Sequence, residues 1–149
     1  MLTVCSRIVV PFDGSEQSKK AVETAVTIAK QDKSIELNVI TVVDVPLSRY
    51  YGSHSYNTDS AREIELAELS AAKEALSVLE ESLKSIPNKS KTFLLEGNPA
   101  ATIVDFIKEN DVDLVVMGSR GLSGFKEMFL GSVSHNVVQK SPCPVFIVK

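Results

Sequence analysis

The amino-acid sequence predicts an α/β domain: an open parallel sheet with helices on both faces. Short apolar runs rich in β-branched residues alternate with longer amphipathic stretches in the order β-α-β-α-β-α-β-α-β. The apolar runs are nearly continuous, which is typical of strands buried on both faces of a parallel sheet. This alternation implies right-handed crossovers and helices on both sides of the sheet. The 149 residues contain no internal repeat, so we expect a single domain over 1–149.

Five strands are predicted from the apolar runs. The first ends at Pro11, where a proline closes a run of β-branched residues. The predicted strands are Arg7 to Val10, Leu37 to Val43, Thr92 to Leu95, Leu114 to Met117, and Val145 to Val148.

Four helices are predicted between the strands, each from apolar residues at three- and four-residue spacing. Ser15 or Ser18 can cap the first helix. Asn98-Pro99 supplies the third with an N-cap and a proline at its first position. The apolar stripes run over Ala21 to Ala29, roughly Ser60 to Leu83, Ile103 to Ile107, and from Ser132 to a stop before Pro142.

The composition argues against a nucleic-acid or membrane partner. Net charge is −3 and no basic block occurs, whereas nucleic-acid surfaces are basic. No apolar run approaches the roughly 18 residues of a membrane span, and the N-terminal residues lack the regions of a signal peptide. We therefore expect a cytoplasmic protein.

No metal or catalytic cluster follows from local spacing. Cys5 and Cys143 are the only cysteines, and both border apolar runs, so we expect two buried free thiols. A metal site needs several ligands close together, and none cluster. His54 and His135 are isolated, and we assign no catalytic residue.

A glycine-rich segment lies between the fourth strand and the last helix. Gly118-Ser119-Arg120-Gly121 is followed, after nine residues, by Gly131-Ser132-Val133-Ser134. Gly118 permits a sharp turn with positive φ at the strand end, and Gly121 lets a ligand approach the backbone. Gly131 opens a helix whose first N–H groups lack acceptors and carry the positive end of the helix dipole. An anion placed there meets those amides directly.

The same segment offers further groups to a phosphate. The hydroxyls of Ser132 and Ser134 can donate hydrogen bonds, and Arg120 is a cation. The alternative is that the glycines only end a strand and begin a helix. The segment is neither a Walker loop, since no Gly-Lys-Ser/Thr occurs, nor the dinucleotide fingerprint, since only Gly14 follows the first strand.

The spacing Gly118-x2-Gly121-x9-Gly131-Ser132 resembles the ATP-binding signature of the universal stress protein family. The opening Ile8-Val9-Val10-Pro11-Phe12-Asp13-Gly14-Ser15 and the close Ser141-Pro142-Cys143-Pro144-Val145-Phe146-Ile147-Val148 also resemble that family. The resemblance covers essentially the whole chain, and the glycine signature is its most specific part.

The resemblance implies a Rossmann-like sheet of five parallel strands in the order 3-2-1-4-5. The first and fourth strands are then neighbours whose crossovers leave in opposite directions. Ligands of open α/β sheets bind at such a switch point, beyond the carboxyl ends of the strands. We therefore expect Asp13 to lie opposite Gly118 at one crevice.

The resemblance also implies a role for each site residue, with ATP as the ligand and a divalent cation, Mg, on its phosphates. Asp13 has an alternative role as a cap of the first helix. Pro11, Asp13 and the backbone of Val42 would flank adenine and ribose; Met117, Gly118, Arg120 and Gly121 would line the ribose and phosphates; Gly131, Ser132, Val133 and Ser134 would hold the phosphate chain.

The leading functional hypothesis is a nucleotide-dependent stress-response or signalling protein. The alternatives are a slow ATP hydrolase or nucleotidyl transferase, and a sensor of AMP or cyclic AMP. Arg120 and Lys126 could supply charge for catalysis and Glu127 is a candidate base, although an exposed loop carboxylate is the simpler interpretation. A phospho-acceptor receiver domain is excluded, because it needs an aspartate at the end of the third strand, where Glu96 stands.

The resemblance implies a homodimer through the last strand: Val145, Phe146, Ile147 and Val148. An apolar edge strand is an aggregation hazard if it stays bare. The implied strand order separates the first and fifth strands, so no Cys5–Cys143 bridge is expected. The long irregular stretch from Val45 to Asp59 is either a mobile surface loop or a lid over a ligand.

Overall fold

The computed structural model describes residues 5–45, 60–120 and 130–149. These ranges contain five strands and four helices in the predicted alternation. Their bounds are β1 (Arg7–Pro11), α1 (Glu16–Ala29), β2 (Glu36–Val43), α2 (Ser60–Leu83), β3 (Ser90–Glu96), α3 (Pro99–Glu109), β4 (Leu114–Gly118), α4 (Ser132–Lys140) and β5 (Val145–Val148).

The five strands form one parallel sheet in the order β3-β2-β1-β4-β5. This confirms the predicted fold class and the strand order that the resemblance implied. β1 is central, with Val9 paired to Asn38 of β2 on one side and to Val115 of β4 on the other. From the neighbouring strands β1 and β4, the chain therefore continues to opposite sides of the sheet, to β2 and to β5.

Successive residues of a strand point to opposite faces, and β1 divides the core accordingly. Ile8 and Val10 pack against α1 and α2 on one face, whereas Val9 packs against α3 and α4 on the other. All three side chains are fully buried. The apolar runs are continuous because both faces of the sheet are covered by helices.

The predicted helix starts are confirmed at α1 and α3. The Ser15 side chain accepts a hydrogen bond from the Ser18 amide and caps α1. The Asn98 side chain accepts one from the Ala101 amide and caps α3. The alternative that Asp13 caps α1 is wrong, because Ser15 occupies that position.

Polar side chains tie the opposite end of the sheet together. Asp113 accepts hydrogen bonds from the Ser6 hydroxyl at 2.7 Å and from the amides of Ser6 and Arg7 at 2.9 and 3.0 Å. These bonds hold the pKa of Asp113 below its usual value, the Ser6 hydroxyl contributing most. The carboxylate therefore anchors the segment that leads into β1.

Both cysteines are free and half-buried, as expected for unbridged thiols, although less buried than predicted. Burial raises the pKa of the Cys5 thiol, and the Asp113 carboxylate adds to that rise. The thiol is therefore less reactive than an ordinary one. None of the helices in the described ranges is long and apolar enough to cross a membrane.

Candidate functional site

The candidate site lies where β1 and β4 end side by side at the same edge of the sheet. From β1 the next connection leads to β2, and from β4 it leads to β5, on opposite sides. A crevice opens between connections that leave in opposite directions. The residues that follow the two strands, Asp13 after β1 and Ser119-Arg120 after β4, are thereby brought to one edge.

A tight turn shapes the β1 side of this edge. The Asp13 carboxylate accepts a hydrogen bond from the Ser15 amide at 2.9 Å, and Gly14 between them has a φ of +85°. A side chain at Gly14 would be strained by that φ. The Asp13 side chain is exposed, so the turn presents a carboxylate at the crevice.

Gly118 is required for a different reason from the one predicted. Among the described glycines, only Gly14 and Gly97 have a positive φ, so Gly118 makes no left-handed turn and that expectation was wrong. Instead, a Cβ at Gly118 would lie 2.7 Å from Gln17 Cβ and 2.9 Å from the Gln17 carbonyl carbon. The missing side chain lets the first turn of α1 pack directly on the end of β4.

Hydrogen bonds join the end of β4 to the start of α4. The Gly131 amide donates to the Ser119 carbonyl at 2.7 Å, and the Ser119 amide donates to the Val148 carbonyl at 2.9 Å. The Ser134 hydroxyl donates to the Gly118 carbonyl at 2.8 Å. The two halves of the glycine motif therefore meet although nine residues separate them in sequence.

The Ser134 hydroxyl is thus engaged within the protein. Its side chain is 4% exposed, and its one hydroxyl proton is already donated to Gly118. The expectation that this hydroxyl donates to a phosphate is corrected: it positions α4 against β4. The Ser132 side chain is exposed and can still serve as a donor.

The N-terminus of α4 is left without a side-chain cap. Its N-cap is Gly131, with a φ of −65° and a ψ of 163° and no side chain to accept a hydrogen bond. The amides of Ser132, Val133 and Ser134 make no hydrogen bond to any described residue. By contrast, side chains cap α1 and α3. This helix end therefore offers amide donors and a positive dipole to an external acceptor.

The remaining predicted residues flank this edge, except for one. Met117 is 4% exposed and supports the site from within the core, while Pro11, Val42 and Arg120 are half-buried. Gly121 lies outside the described residues, as do Lys126, Glu127 and 46–59, the greater part of the long irregular stretch.

Sequence reasoning missed two residues that build the edge. The Thr41 hydroxyl donates to the Phe12 carbonyl at 2.8 Å, and the Phe12 amide donates to the Ile40 carbonyl. Together these bonds hold the end of β2 beside the residue that follows β1. Ser119 is 4% exposed and carries the two backbone bonds between β4, β5 and α4. The position of Ser119 between Gly118 and Arg120 in the glycine motif could have identified it from the sequence, whereas no sequence feature singles out Thr41.

The described residues hold no group of three or more histidine, cysteine or acidic side chains that could bind a metal ion. Magnesium in nucleotide sites takes most of its ligands from phosphates and water.

Known proteins similar to this chain are described as universal stress proteins. Universal stress protein YxiE of Bacillus subtilis is 37% identical over 153 residues, covering 97% of this chain and 99% of its own. Universal stress protein UspA from Lactobacillus plantarum is 28% identical with a TM-score of 0.80, covering 97% of both chains. A universal stress protein solved in complex with cAMP is 27% identical with a TM-score of 0.62, covering 98% of both. The family model described as the universal stress protein family matches residues 5–149, and the chain therefore belongs to the universal stress protein family.

Proposed function

We propose that this protein binds ATP at the β1–β4 edge and acts as a nucleotide-dependent stress-response or signalling protein. The observation that carries the proposal is the uncapped start of α4. The amides of Ser132, Val133 and Ser134, which make no hydrogen bond to a described residue, and the positive end of the helix dipole suit a phosphate chain. Gly131, whose own amide donates to the Ser119 carbonyl, would leave room for the phosphate by having no side chain. The glycine spacing that resembles the family's ATP signature supports the same ligand.

The other end of the nucleotide would lie along the ends of β1 and β2. Pro11 and Val42 supply half-buried apolar surface for the adenine ring, and the Val42 backbone can read its edge. The Asp13 carboxylate accepts hydrogen bonds, which suits ribose hydroxyls. Met117, Gly118, Arg120 and Gly121 complete the middle of the site, with Arg120 as the cation for the phosphates.

A bound magnesium ion would neutralise phosphate charge in this site. The protein's contribution to that ion is Asp13, and the rest of its shell would come from phosphates and water. We propose Mg-ATP, not free ATP, as the ligand, because the phosphate chain of ATP carries several negative charges and the proposed site residues include one cation, Arg120.

A second candidate is a sensor of AMP or cyclic AMP. It is favoured by the relative that was solved in complex with cAMP. Slow ATP hydrolysis or nucleotidyl transfer is a further alternative, since Arg120 and Ser132 could stabilise charge on a transferred phosphoryl group.

Calorimetric titration of the purified protein with Mg-ATP, AMP, cyclic AMP and GTP tests the proposal. We expect ATP to bind more tightly than GTP, and mass analysis of co-purified ligand to show an adenine nucleotide. Binding of AMP or cyclic AMP with no affinity for ATP would favour the sensor. Absence of binding to every adenine nucleotide would refute the site.

Phosphate release over hours distinguishes a nucleotide holder from an enzyme. We expect less than one turnover per protein. Steady multiple turnovers that are lost in both Arg120→Ala and Ser132→Ala would instead establish hydrolysis.

We further propose a cytoplasmic homodimer that pairs through β5. This strand lies at the end of the sheet order, and Phe146 on it is 50% exposed. An exposed apolar edge strand is usually covered. Sedimentation should show a dimer, and Phe146→Asp should shift it to a monomer. A monomeric wild type would contradict the proposal.

A further inference from the structure

A concave region lies away from the proposed nucleotide site, between α1 and α2. The groove has a volume of about 790 Å³, within the size range of small-molecule sites, roughly 300–1,000 Å³. It shares only Phe12 and Gly14 with the turn that flanks the crevice. Nothing in the nucleotide proposal requires this groove.

The groove is walled by apolar stripes on the two helices. Val22 and Val26 of α1 face Ala75, Val78 and Leu79 of α2 across it. Their spacing of three or four residues keeps them on one side of each helix. Val78 is 68% exposed, so apolar surface remains in contact with water unless something covers it.

The groove is elongated, and charged side chains divide it. Its α1 wall extends from Lys19 to Lys30, a helical rise of about 16 Å. Glu23, which lies between those lysines on α1, and Glu74 on the α2 wall repel an anion from the part of the groove that they line. An anionic group is therefore favoured only at an end.

The two ends differ in the charge that they offer. Lys19 is paired with Glu16 at 3.3 Å, whereas Lys30 makes no ion pair with any described residue. The helix end beside Lys30 would ordinarily repel an anion. Here the Asn88 amide donates to the Ala29 carbonyl at 2.8 Å, which satisfies part of that negative end.

We propose that this groove binds an unbranched alkyl carboxylate. Its apolar chain lies between the valines of α1 and α2, and its carboxylate pairs with the Lys30 ammonium. The site then accounts for the exposed apolar walls, the length of the groove and a Lys30 ammonium that has no ion-pair partner among the described residues.

The chain offers a matched pair of variants to test the apolar contact. Val78 and Ile64 lie on the same helix and are both 68% exposed, but only Val78 lines the groove. Dodecanoate is titrated calorimetrically into the full-length protein, below its micelle-forming concentration. We expect Val78→Glu to weaken binding about tenfold or more, because a buried apolar contact is lost, and Ile64→Glu to leave it unchanged.

A second comparison tests the charge. Lys30→Gln should weaken dodecanoate binding about two- to fivefold, as for an exposed ion pair, and leave the binding of dodecan-1-ol unchanged. No binding of dodecanoate to the wild type would overturn the proposal. So would equal losses in Val78→Glu and Ile64→Glu, or binding of an amphipathic helical peptide in the groove in place of the carboxylate.

Discussion

Replacing Gly131 with aspartate should move folding stability and ATP binding in opposite directions. The backbone at Gly131, with a φ of −65° and a ψ of 163°, is open to any L-residue. An aspartate there can accept hydrogen bonds from the Val133 and Ser134 amides, which make none with a described residue. The aspartate carboxylate would then accept the hydrogen bonds that we propose a bound phosphate accepts.

The two magnitudes can be estimated separately. An aspartate N-cap stabilises a helix by a few tenths of a kcal/mol more than a glycine N-cap does. Its negative charge at the helix start adds about 0.3–1 kcal/mol of stability. We therefore expect the free energy of unfolding to rise by about 1 kcal/mol. A phosphate about 4 Å from the carboxylate is repelled by about 4 kcal/mol at an effective dielectric constant of 20. Salt screens part of this, which leaves about a hundredfold loss of ATP affinity.

Urea unfolding measures the first quantity, and calorimetric titration with Mg-ATP measures the second. Gly131→Asn is the matched control, because it can cap the helix without charge. It should be nearly as stable as the aspartate variant and bind ATP more tightly than that variant. An aspartate variant that binds ATP as tightly as the wild type would refute a phosphate site at α4. Because stability is expected to rise, misfolding cannot imitate the predicted result.

Three further substitutions test the framework around the site. Gly118→Ala should lower the free energy of unfolding by about 1–3 kcal/mol, because the added Cβ would lie 2.9 Å from the Gln17 backbone. A variant that unfolds at the same urea concentration as the wild type would contradict this packing. Asn88→Ala should cost about 2–3 kcal/mol in the same assay, since the buried side-chain NH2 donates to carbonyls at the end of α1 and in the turn after it, with three of them within 3.0 Å. A loss under 0.5 kcal/mol, the usual range for surface substitutions, would argue against this role. The pKa of Asp113 is lowered in the folded protein, chiefly by the Ser6 hydroxyl. The contribution of Asp113 to folding stability is therefore fully present above the pKa that it has in the unfolded chain, about 3.9, and is lost as the pH falls through its lower folded-state pKa. Asp113→Asn should therefore be less stable at pH 7 by about 1 kcal/mol, and thermal unfolding should show the gap narrowing below about pH 4.

Local chemistry made the elements of this fold predictable from sequence. Buried parallel strands need continuous β-branched runs, and the predicted Val145 to Val148 agrees with β5 to the residue. Helix starts need a side chain that can accept an amide hydrogen bond, which Ser15 and Asn98 provide. The strand order came from resemblance, because pairing between distant segments leaves no signal in the periodicity of any one of them.

The sequence by itself determined that glycines and serines stand between β4 and α4, as groups suited to an anion. Only the tertiary structure decided what each of them does. Gly118 excludes a side chain because Gln17 of α1 packs on it, and the Ser134 hydroxyl is consumed by the Gly118 carbonyl. Gly131 is left as the uncapped helix start. Spacing along the chain identifies which residues can bind a ligand, but hydrogen bonds and contacts with distant segments determine which donors stay available.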